Sequence, residues 1–232
     1  MQNYYEYFTE IEERFQRRRG TLTMLSTLDW ALIETWRDAG VPLEAVLRGI
    51  DDAFDKHDAR AQKTGKRLRK VNGLAWAAQA VMTATEQMKD AAVGAASTAA
   101  SQRESGFEAE PIRAYLQRNA EAVATATLPL AAHAQRDEIA DRLRALAMDI
   151  PADTEELERT LTVLEEKLFA MLLLVSPEPQ QKEWREQAAR GLSGSRGMSA
   201  AQLKHVTQQF LHKRLLETYG LPRLSLFYME HL

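Results

Sequence analysis

The chain has 232 residues, 45% of them hydrophobic, with 30 Lys and Arg against 33 Asp and Glu and no cysteine. That length can bury a core, and that apolar content is globular rather than disordered. The near-neutral charge leaves any polyanion contact to a local patch, and the lack of cysteine excludes disulfides, thiol nucleophiles and Cys-ligated metal centres.

Gly (11) and Pro (7) are scarce, while Ala, Leu, Glu, Gln and Arg, all good helix formers, are abundant. No long alternation of apolar and polar residues occurs outside 224–229, so the expected fold is all-α. The longest apolar run, LFAMLLLV at 168–175, falls well short of the roughly 20 residues of a membrane span. Residues 1–20 hold no apolar stretch of signal-peptide length, so no membrane contact and a cytoplasmic location are expected.

Thr9 and Glu12 have capping-box spacing and predict a helix from Thr9 to Arg19, closed by Gly20. Around it Tyr4, Tyr5, Tyr7, Phe8, Ile11 and Phe15 form an aromatic stripe, read first as core packing and second as a base-stacking platform. Ser26 and Asp29 predict the next cap, with Trp30, Ile33 and Trp36 at helical spacing until Ala39-Gly40. Pro42 restarts the chain, and Leu43, Val46, Leu47, Ile50 and Phe54 mark the apolar face of a second helix. These two helices, joined by so short a turn, form a helix–turn–helix-like N-terminal unit.

Residues 56–70 read as a polar, basic loop, and from Val71 a further helix is expected through Trp76, Val81 and Met88. The Ala/Ser-rich stretch 91–108 reads as a connection between an N-terminal unit, 1–90, and a C-terminal helical bundle, 109–232. In that second part Pro111 opens a helix, Pro129 breaks the chain, and another helix runs to Met148. Asp153 caps a long helix whose Leu157, Leu161, Leu164, Leu168, Met171 and Val175 repeat with heptad spacing. Trp184, Ala188 and Leu192 mark a short helix. Ser199 with Gln202 caps the last long one, and Gly220 and Pro222 end it. The segment RLSLFYMEHL at 223–232 is too apolar to stand in water and must dock on the core or on a partner.

Catalytic signatures are missing from this pattern. His205 and His212 are seven apart on one helix, roughly 10 Å, too far for one metal. No HExxH, Glu-x-x-His, P-loop or Rossmann fingerprint occurs, and the turn GLSGSRG follows a helix rather than a strand. The expectation is a non-enzymatic binding module with no cofactor and no metal.

Two basic clusters stand out. One is Arg14, Arg17, Arg18 and Arg19. The other is Arg60, Lys63, Lys66, Arg67, Arg69 and Lys70, with no acid between them. Flexible cations without nearby acids suit phosphate contacts, so the second cluster is the candidate nucleic-acid-binding site. The helix at 43–54 is a poor groove reader, since Glu44, Asp51, Asp52 and Asp55 outnumber Arg48 and Lys56. DNA or RNA is therefore one expected partner class. The other is protein, a second copy included, met by the 223–232 segment and the heptad face.

Trp36, the Gly40-Val41-Pro42-Leu43 turn, Ile50-Asp51-Asp52-Ala53-Phe54 and Lys70-Val71-Asn72-Gly73-Leu74-Ala75-Trp76 together carry a resemblance. Residues 26–82 resemble the C-terminal helical module of DnaD-like replication proteins, with Asn72 and Trp76 at that module's Asn and aromatic positions. The resemblance implies DNA binding and a role in loading a replicative helicase. The winged-helix domain usual in that family has no counterpart in this chain.

Overall fold

The structure, a computed structural model, describes residues 4–21, 24–64, 71–94, 109–193 and 198–229, and among these every regular element is a helix. Among the described residues nine α-helices run in order: α1 (Tyr4–Arg19), α2 (Thr27–Asp38), α3 (Leu43–Thr64), α4 (Ala78–Gly94), α5 (Ala109–Thr125), α6 (His133–Met148), α7 (Thr154–Val175), α8 (Glu178–Leu192) and α9 (Ala200–Tyr219). One-turn 3-10 helices sit at Leu74–Trp76, Leu130–Ala132 and Leu226–Tyr228. Among the described residues no helix is long and apolar enough to cross a membrane.

Local signals set most boundaries. Ser26 and Asp29 close a reciprocal capping box at α2, and Ser199 and Gln202 close one at α9. Gly40 and Gly220 take left-handed φ of 68° and 63°, a conformation that costs glycine little. Asp153 accepts from the Glu155 N–H and starts α7.

Four boundaries differ from expectation. Thr9 lies inside α1, which begins at Tyr4, so its spacing to Glu12 is that of two neighbours on a helix face rather than a cap. The supposed loop from 56 is helical to Thr64, because Ala53, Ala59 and Ala61 and the long polar side chains favour helix once Leu43–Phe54 is docked. Residues 71–77 form an irregular segment with one 3-10 turn before α4 begins. The alternation at 224–229 is a 3-10 turn, capped by the Ser225 hydroxyl accepting from the Phe227 N–H. Of the expected connection at 91–108, residues 91–94 belong to α4 and 95–108 lie outside the described residues.

The helices associate as the pairs α3/α4, α5/α6 and α8/α9, with α2 lying along α9, α1 on α3, and α7 against α6 and α9. One hydrophobic cluster runs through helices on both sides of 91–108, from Ile11, Phe15, Leu32 and Ile50 to Leu116, Leu143, Leu161, Leu168 and Val206. The α3/α4 pair approaches closely at Gly49, where a Cβ would run into the Val81 backbone. Tyr7, Phe8, Ile11 and Phe15 of the α1 aromatic stripe are buried core, and the Tyr7 hydroxyl donates to the Val41 carbonyl (3.0 Å) at the α2–α3 turn; the side chains of Tyr4 and Tyr5 lie outside the described set.

Candidate functional site

Half of the first basic cluster, Arg14 and Arg18, is neutralised within the fold. Arg14 pairs with Asp51 at 2.6 Å, and Arg18 with Asp55 and Asp51, so α1 is laced to α3 by ions. Two of the acids that weigh against α3 entering a DNA groove, Asp51 and Asp55, are in this way partners of α1.

The second cluster begins on a helix. Arg60 and Lys63 stand exposed on the last turns of α3, and neither forms an ion pair among the described residues. Lys66, Arg67, Arg69 and Lys70 lie outside the described residues. One turn before Arg60, His57 meets Trp76 edge-on, with centroids 5.6 Å apart and planes at 88°. Trp76 also packs on Phe54 at 5.2 Å yet stays 37% exposed. Trp76 is held there by an internal anchor. Asp29, itself buried, accepts from the Leu74 N–H at 2.6 Å and from the Ser26 N–H and hydroxyl, and Gly73 is needed because a Cβ would crowd Asp29 Oδ1. The result is a half-open indole beside the base of a cationic run, a pairing suited to stacking and phosphate contact.

A second polar constellation was not legible in the sequence. Arg223 donates through Nε to Glu165 Oε1 (2.9 Å) and through Nη1 to Glu34 Oε2 (3.2 Å), and Glu34 Oε1 accepts from the Tyr228 hydroxyl (2.9 Å). Glu34 and Glu165 are buried, 2% and 8% exposed. The backbone joins in: the Leu224 N–H donates to Glu165, the Leu226 N–H to Glu158, and the Arg223 carbonyl accepts from the Tyr115 hydroxyl (2.8 Å) and the Asn119 amide (3.2 Å). Burial opposes the Arg223 charge, but Tyr228, Glu34 and Glu165 outweigh it and raise its pKa. Burial and neighbouring Glu34 raise the Tyr228 phenol, and burial raises Tyr115, so both stay protonated at neutral pH.

Next to this network, Lys213 lies 3.5 Å from the centroid of the Trp30 ring, and burial lowers its pKa to about 8 against the pull of Glu34 and Glu217. His212 stacks on Phe169 at 3.7 Å, and burial, then Arg223 and His205, lower it to about 4. His205 itself turns to Asp38, 3.6 Å away.

These contacts dock residues 221–229 in cis. Leu224, Leu226 and Met229 are buried, and so is the heptad seam Leu157, Leu161, Leu164, Leu168 and Met171. Of the two surfaces expected to meet a protein partner, residues 223–229 and the α7 leucines pack on the core, while 230–232 lie outside the described residues.

Comparison with protein-family models, with curated proteins and with solved structures found no match for this chain.

Proposed function

We propose that this chain is a non-enzymatic helical binding protein that acts in the cytoplasm as a nucleic-acid accessory factor, contacting phosphates through residues 60–70. The observation that carries the reading is the exposed Arg60 and Lys63 at the end of α3, beside the half-exposed Trp76. A cation near a helix C-terminus also offsets the negative end of the helix dipole, which accounts for one such residue but not for six cations between 60 and 70. The resemblance of 26–82 to the DnaD-like module points the same way, since its aromatic position falls on Trp76.

Phosphate contacts make affinity fall with salt, with a log–log slope of about −0.9 per duplex phosphate neutralised. The test is fluorescence anisotropy with labelled single- and double-stranded DNA and RNA across a salt series. Replacing Lys66, Arg67 and Arg69 together by Ala is expected to flatten the slope by about 2–3 units. Trp76→Ala is expected to weaken single-strand binding more than duplex binding, because only unpaired bases offer a face to stack on. Wild-type protein that binds none of these at low ionic strength ends the proposal.

A further inference from the structure

The hairpin α6/α7 carries a face with no partner among the described residues. Of the six large apolar side chains exposed among the described residues, four belong to this part of the chain: Leu130, Met148, Val163 and Leu174. Beside the buried seam of α7 runs a second stripe, Thr160, Val163, Lys167, Ala170 and Leu174, with the same heptad spacing. Gln135, Glu138, Arg142 and Ala145 form the matching stripe on α6. The two stripes run in step, because Glu138 and Lys167 pair at 3.5 Å across the hairpin. Two shallow grooves of about 530 and 270 Å³ lie end to end between the stripes, sharing Glu138 and Lys167. A pair of heptad stripes flanking a groove is the surface that receives further helices in a four-helix bundle.

The charges say what seats there. The grooves are lined by Glu138 and Asp141 on one side of the balance and by Arg142 and Lys167 on the other. A balanced face of this kind repels neither sign and complements itself. We infer that the α6/α7 face binds a second copy of this chain, about a two-fold axis parallel to the hairpin. That axis lays α6 of each copy on α7 of the other and keeps every rung level with its equivalent. Glu138 then meets Lys167 of the second copy, and Lys167 meets its Glu138, so four charges alternate around a square. A two-fold axis across the hairpin would instead stack Glu138 on Glu138 and is disfavoured by like charge. The aliphatic stem of Arg142 covers Val163 of the other copy. The footprint suits a weak dimer: 16 residues of α6 span about 24 Å and two helices are roughly 20 Å wide, about 480 Å² per partner, below the roughly 800 Å² of a standard interface.

The test is sedimentation equilibrium over a concentration series, expected to show a species of twice the 26.2 kDa chain mass at concentrations of order 100 µM. Val163→Glu with Leu174→Glu, both exposed positions, is expected to return it to monomer with an unchanged circular dichroism spectrum. Because the chain has no cysteine, geometry can be read directly. Mixing a Gln135→Cys chain with an Ala170→Cys chain under oxidation is expected to give a mixed disulfide, while Ala170→Cys alone stays uncrosslinked. A wild type that is monomeric throughout, or a dimer indifferent to the double Glu substitution, overturns the inference. A dimer in which Ala170→Cys crosslinks to itself and the mixed pair does not form overturns the proposed axis.

Discussion

Arg223 and Arg60 are the same residue type in opposite circumstances. Arg223 is largely enclosed by Glu34, Glu165 and Tyr228, keeping 16% of its side-chain surface, with its own carbonyl tied to Tyr115 and Asn119. Arg60 is exposed on the last turns of α3, with no ion pair among the described residues. The difference teaches that charge alone does not mark a functional group. A cation saturated by buried acids is a structural fastener, and one left in water beside others of its sign has capacity for a partner.

The comparison breaks most easily at Arg223. Arg223→Ala leaves Glu34 and Glu165 buried without their counter-ion and is expected to cost about 3–5 kcal/mol in urea denaturation. A loss under about 1 kcal/mol would show the network to be dispensable. Removing the acids as well, with Glu34→Leu and Glu165→Leu added to Arg223→Met, is expected to recover only part of that loss: no counter-ion is needed, but the Leu224 N–H and the Tyr228 hydroxyl lose their acceptors.

Next comes pH. His212 is lowered from its ordinary 6.5 to about 4 in the fold, so on acidification the unfolded chain takes up the proton first. Its contribution is complete above about pH 6.5 and declines as pH falls toward 4, with about 2 kcal/mol lost by pH 5. Denaturation midpoints at pH 8 and pH 5 should therefore diverge more for the wild type than for His212→Phe. Equal divergence would place the acid sensitivity elsewhere.

The ion pairs between α1 and α3 lie between the two extremes. Arg14 and Asp51 keep 34% and 28% of their side-chain surface, and Arg14→Ala is expected to cost about 0.5–1 kcal/mol, reduced further by salt. At the bottom of the scale, Arg60→Ala with Lys63→Ala is expected to change stability by less than about 0.5 kcal/mol while weakening nucleic-acid binding. A destabilisation as large as that of Arg223→Ala would erase the contrast between the two sites.

What the sequence made legible follows from how far each signal reaches along the chain. The Ser26–Asp29 and Ser199–Gln202 boxes, the glycine stops at 40 and 220 and the heptad leucines of α7 act over a few residues, and each stands where it was read. The extension of α3 to Thr64 was hidden because its last turns carry no apolar stripe and are helical by continuation from a docked first half. The clamp on 221–229 was hidden more deeply. Its members Glu34 and Arg223 are 189 positions apart, and no local pattern ties a glutamate in α2 to an arginine after α9. For the candidate binding site, the run 60–70 was legible as charge, while its neighbour Trp76 was expected inside a helix and proved half-open beside His57.

The same separation has a meaning in time. On the ribosome Glu34 emerges 189 residues ahead of Arg223, and Glu165 emerges 58 ahead of it. At synthesis rates of about 5–20 residues per second, α2 waits roughly 10–40 s for its counter-ion. Until then the site that will enclose Glu34 can stay solvated or leave the acid protonated, but it cannot close dry around a charge. Because α9 leaves the ribosome just ahead of Arg223, the packing of α2 against α9 and the neutralisation of Glu34 fall in one late step, with the 221–229 segment as its latch.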